Sequence, residues 1–193
     1  MPTFDLRGIH VAEYKNTSGV ISYGEAIPAG DAMAANLELK YAEGRLYAES
    51  TLAEYMKKAL GGSISIGVKY IPAAAQQLMY GTTTKSRTVG SKPIESLKTT
   101  ARDEAKYVGV SFYAPDMIDG VPKYTCVFVS RALFGPPSMI YQTLGESITF
   151  QTPTTTGEFL ADNSEDQNLM EVGIADTIED AEAWCAAVFT VKP

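Results

Sequence analysis

A mainly β, antiparallel fold of the α+β class, with two or three flanking helices and one long loop, is what this sequence predicts. Three observations carry the expectation. Val, Ile, Thr, Tyr and Phe recur at period two between Gly, Pro and Asn or Asp punctuation. Asp119-Gly120 and the "AEGR" of 42–45 stand between strand patterns, as hairpin tips do. Helix start and stop signals occur at three places only.

The strand patterns fall at 9–15, 36–42, 45–50, 63–70, 107–114, 123–133 and 147–152. In 36–42, Leu37, Leu39 and Tyr41 share one face and Asn36, Glu38 and Lys40 the other, so this strand is half solvated. The same alternation sets Ile64, Ile66 and Val68 against Ser63, Ser65 and Gly67. Around 124–129 the chain is apolar on both faces, which predicts cover on both. Expected core residues are Ile64, Ile66, Val68, Val110, Phe112, Phe128, Ile148 and Phe150.

The helices follow from their caps. Thr51 and Glu54 have capping-box spacing and Gly61 suits a left-handed stop, which predicts a helix over 51–61. Pro72 and Gly81 bracket a second over about 72–80. The third, over about 177–190, opens with Glu179, Asp180 and Glu182 at its positive end and lines up Ile178, Ala181, Cys185 and Val188 as a docking stripe.

A chain of 193 residues that is 45% apolar is long enough for one substantial core, and a single domain is expected. Sixteen basic and twenty-three acidic residues give a net charge of −7, so nucleic acid and anionic membranes should repel the body. Cys126 and Cys185 sit in apolar contexts and read as reduced structural thiols. No leader or long apolar run is visible, so synthesis in the cytoplasm is expected. The segment 82–104 is polar, and it carries Lys85, Arg87, Lys92, Lys98 and Arg102 against Glu95, Asp103 and Glu104, a local net of +2. A basic arm on an acidic body predicts self-association through those five cations; a solvated mobile loop is the plainer alternative.

Chemical motifs are few. His10 is the only histidine and lies in a strand pattern without a partner nucleophile. Two cysteines 59 positions apart and one histidine make a weak zinc set, and no phosphate-loop spacing occurs. Asp116 and Asp119 read as turn residues around Gly120, and "DNSEDQN" (162–168) as an exposed acidic loop without EF-hand spacing. No catalytic residue, metal or cofactor is expected, and the chain does not read as an enzyme.

"YTCVFVSRALFGPPSMIYQTLGESITFQTPTTTGEFLA" resembles the C-terminal half of the major tail proteins of long-tailed, non-contractile bacteriophages and prophages. The features are an Asp-Gly hairpin in "VSFYAPDMIDGVPKYTCVFVSRALF", a Pro-containing link, a Thr-rich strand and a Gly. Upstream, "YGEAIPAGDAMAANLELKYAEGRLYAES" is similar to the family's N-terminal segment, with Tyr47, Ala48 and Glu49 in its Tyr-Ala-acid signature and Glu where Asp is usual. The resemblance implies a β-sandwich or barrel-like tail tube subunit in the virion. Such subunits stack as hexameric rings into the conduit for DNA, alongside tape measure and terminator proteins. The runner-up expectation is a monomeric β-sandwich module binding carbohydrate or peptide through exposed tyrosines such as Tyr113, Tyr124 or Tyr141.

Overall fold

The computed structural model describes residues 5–139, 141, 143 and 152–190. The expected strand at 147–152, with Ile148 and Phe150, lies essentially outside the described residues. Elsewhere the mainly β, antiparallel expectation holds.

In chain order the elements are β1 (Arg7–Thr17), β2 (Val20–Tyr23), β3 (Ile27–Pro28), β4 (Ala32–Ala48), β5 (Thr51–Val68), α1 (Ala73–Tyr80), β6 (Thr83–Val89) and β7 (Lys92–Lys98). They continue with β8 (Val108–Ile118), β9 (Val121–Phe134), β10 (Thr154–Leu160), β11 (Met170–Ala175) and α2 (Ile178–Ala187). Nine strands form one sheet in the order β2-β1-β8-β9-β10-β5-β4, with β11 added beside β9 and β3 beside β1; β6 and β7 form a sheet of their own.

Strands from both ends of that order share one core. Ile9 and Val11 of β1, Ile64, Ile66 and Val68 of β5, Val110 of β8 and Val129 of β9 are all in a single buried cluster. The sheet therefore curls so that its inner face closes on itself, and α1 contributes Ala75, Met79 and Tyr80 to the same cluster. Gly62 makes a close approach: a Cβ there would stand 2.2 Å from the Glu38 carbonyl oxygen and 2.4 Å from the Phe159 ring.

The outer face is covered by α2. Alternation along β9 sends Val127 and Val129 inward and Cys126 and Phe128 outward, where Ala181, Cys185 and Phe189 meet them. The expected two-sided burial of β9 follows. Thr177 caps α2 by accepting the Asp180 N–H at 3.1 Å, and Gly81 ends α1 in the left-handed region at φ 71°. Ile64, Ile66, Val68, Val110, Phe112 and Phe128 are buried as expected.

Four expectations are corrected. Residues 51–61 are not a helix but the first part of β5, which pairs with β4 from Ala48↔Thr51 to Ala32↔Val68. Cross-strand pairing along that whole length outweighs a local helical pattern that is strong only in isolation. The "AEGR" of 42–45 is not a hairpin tip, and residues 36–48 run through it as one strand; the tip is Glu49-Ser50, with φ of 50° and 64°. Positive φ at both central residues is the hairpin geometry that matches strand twist. Segment 82–104 is largely an ordered hairpin, β6–β7, turning through Gly90 at φ 64°. Asp116 is a buried residue of β8 that accepts from the Met117 N–H at 2.8 Å and the Thr125 hydroxyl at 3.2 Å, and only Asp119-Gly120 form the turn.

Candidate functional site

Two hairpins carry side chains exposed along most of their length. The first is the outer half of β4–β5. A bulge at Leu60, between the pairs Lys40↔Gly61 and Tyr41↔Ala59, marks where the ribbon departs from β10. Beyond it, pairing places Tyr41, Glu43, Arg45, Tyr55 and Lys57 on one face. That face satisfies itself: Glu43 lies 3.4 Å from Lys57 and 3.6 Å from Arg45, Arg45 stands over the Tyr55 ring and Lys57 over the Tyr41 ring. Hydrogen bonds from Tyr55 and Lys57 hold the Glu43 carboxyl below its ordinary range.

The opposite face carries Ala42, Gly44, Leu46 and Met56, flanked by Glu54 and Lys58. Leu46 is 58% and Met56 73% exposed. Among the described residues nothing covers this apolar patch, and a two-stranded ribbon is at best marginally stable alone in water.

The second hairpin is β6–β7, and its register sorts its charges. Residues opposite each other share a face, so Thr83/Lys98, Lys85/Ser96, Arg87/Ile94 and Val89/Lys92 are on one side. The other side holds Thr84/Leu97, Ser86/Glu95 and Thr88/Pro93. Near its base that second side turns to the body, where Leu97 is half-buried and the Thr84 hydroxyl bonds Gln77 of α1. Four of the five expected contact cations, Lys85, Arg87, Lys92 and Lys98, thus share one exposed face. Arg102 does not join them; it lies in the turn that Asp103 closes by accepting from the Thr100 N–H and hydroxyl. Among the described residues none of the five has a carboxylate within ion-pair distance.

The acidic loop is more ordered than its composition suggests. Asp162 is buried and accepts from the Ser164 N–H, the Ser164 hydroxyl and the Asn168 N–H, while Glu165 and Asp166 stay exposed. No trio of His, Cys, Asp or Glu converges among the described residues.

The side chains with most chemical potential line one shallow cleft: His10, Tyr113, Glu182 and Cys185. Tyr113 donates to Glu182 at 3.1 Å, and His10 Nδ1 is 2.9 Å from the Gly8 carbonyl oxygen. Burial pushes the Cys185 thiol up to about 12, so it stays protonated and weakly nucleophilic at neutral pH. Native protein is therefore expected to resist a maleimide at Cys185 and to react quickly once unfolded in urea. Fast native labelling would show that α2 does not seal the cleft. Of the tyrosines expected to be exposed, Tyr113 is buried and packs edge-on against Tyr124, while Tyr141 is 86% exposed.

No protein-family model matches the chain, and no curated protein matches it.

Proposed function

We propose that this protein is a structural subunit that polymerises through its hairpins into a tube of the major tail protein kind, stacked from hexameric rings and serving as a conduit for DNA. The carrying observation is the outer β4–β5 ribbon, which exposes Leu46, Met56, Tyr47 and Leu52, uncovered among the described residues. A ribbon this long gains stability only by packing on a neighbour. The sequence resemblance supplies the kind of assembly, and the protein's partners on this reading are its own copies, together with the tape measure and terminator proteins of a virion tail.

The charge balance suits the same role. Duplex DNA carries about one negative charge per 1.7 Å, and a conduit rich in Lys and Arg would retain it. A chain of net −7 would not. No catalytic group or cofactor enters this function.

The test is direct. Purified protein, concentrated and imaged by negative stain, should show rings or hollow filaments of constant width, with matching heavy species in light scattering. A strictly monomeric protein at every concentration and salt would refute the proposal.

A further inference from the structure

The chain's acidity is not spread evenly. Nine of its twenty-three acidic residues lie between 158 and 182, a stretch without Lys or Arg, while the rest of the chain holds the other fourteen against all sixteen bases. Several of the nine are engaged inside the subunit: Glu158 meets Lys40, Asp176 meets Lys123, Asp162 organises its loop and Asp180 accepts from Thr177. Glu171, Glu179 and Glu182 are exposed and have no cation within ion-pair distance among the described residues, Glu182 accepting only from the Tyr113 hydroxyl.

These three lie on the outer side of the sheet. Glu171 pairs with Phe128 and so shares the face of β11 that carries Gly173, against which Trp184 of α2 packs. Glu179 and Glu182 are on α2 itself. The basic face of β6–β7 is a separate surface: the hairpin follows α1, whose Ala75, Met79 and Tyr80 are in the inward cluster, whereas α2 meets the outward Ser111 and Tyr113. Among the described residues one subunit thus presents cations without a carboxylate partner on β6–β7 and carboxylates without a cation partner on α2 and β11.

We infer that the basic face of β6–β7, through Lys85, Arg87, Lys92 and Lys98, docks on the acidic outer face of α2 and β11 of a second copy. Like charges along a ribbon face repel and destabilise it, and a carboxylate surface relieves that repulsion. Ile94 and Val89, both exposed on the same basic face, add apolar contact toward its tip. Because the hairpin and the receiving face are different patches, a head-to-tail contact leaves each end with a free hairpin or a free face and so propagates. The inference rests on the tube-subunit reading and specifies which surface receives the arm.

A charge-swap pair of variants tests it. In one, Lys85→Glu, Arg87→Glu and Lys92→Glu reverse the hairpin; in the other, Glu171→Lys, Glu179→Lys and Glu182→Lys reverse the receiving face. Circular dichroism first establishes that both fold. Each alone should need on the order of tenfold or more protein to assemble, since every contact then opposes like charges. Mixed in equal amounts they should assemble as an alternating copolymer, because each hairpin then meets an opposite face. Raised salt should weaken wild-type assembly and the mixture alike.

If wild type assembles but the mixture stays as inert as its components, or if the Glu-to-Lys variant alone assembles normally, the docking is overturned and the tube reading survives. If wild type never assembles, the tube reading falls. Sedimentation of the mixture against each variant alone then decides the docking separately, with no heavier species in the mixture counting against it.

Discussion

Replacing residues 42–58 by Asn-Gly is expected to abolish polymerisation while leaving the subunit folded. The cut removes only the part of β4–β5 beyond the bulge and joins Tyr41 to Ala59, which already face each other. A two-residue Asn-Gly turn suits that junction. The core pairs Leu37↔Ile64 and Ala35↔Ile66 are untouched, so the thermal midpoint should stay within a few degrees of wild type. Light scattering should show monomer at concentrations where wild type forms filaments.

A milder variant separates contact from architecture. Leu46→Ser with Met56→Ser keeps the ribbon but strips its apolar face, and burying a side chain of this size contributes about 1.5–3 kcal/mol. Assembly should then require at least about tenfold more protein. Filaments of normal width and yield from the truncated protein would sink the role assigned to this hairpin.

The largest loss of stability is expected from Phe159→Ala. Phe159 is fully buried on β10, pairs with Gly62 of β5 and Ala132 of β9, and its ring fills the space that Gly62 leaves open. Removing a buried aromatic ring costs about 3–5 kcal/mol, part of it for the cavity left where strands from both ends of the sheet meet. For a chain of this size that is a fall in thermal midpoint on the order of 10 °C. Urea denaturation followed by circular dichroism would measure it. A loss below about 1 kcal/mol would mean that the sheet does not close over Phe159.

What the sequence determined by itself was local and periodic. The alternation in 63–68, 107–114 and 123–133 set those segments as strands with the observed inward faces, because a half-buried strand has to repeat every second residue. Pro72, Gly81 and the acidic start after Thr177 fixed α1 and α2 because helix ends have specific backbone needs that few residues meet. The five cations were legible as a cluster in the chain.

Only the tertiary structure decided the rest. Thr51, Glu54 and Gly61 spell a helix locally, yet the partner strand β4 and the Gly-only approach of Gly61 and Gly62 to Phe159 make the segment a strand. β10 and β11 are short and interrupted by Gly157 and Gly173. Those glycines disrupt the alternation because their Cβ positions are taken by the Leu133 carbonyl oxygen and the Trp184 ring. The register of β6–β7, a relation between two strands rather than a property of either, put Lys85, Arg87, Lys92 and Lys98 on one face and left Arg102 off it. Which residues face a neighbour was not readable from order along the chain, since facing is set by pairing across it.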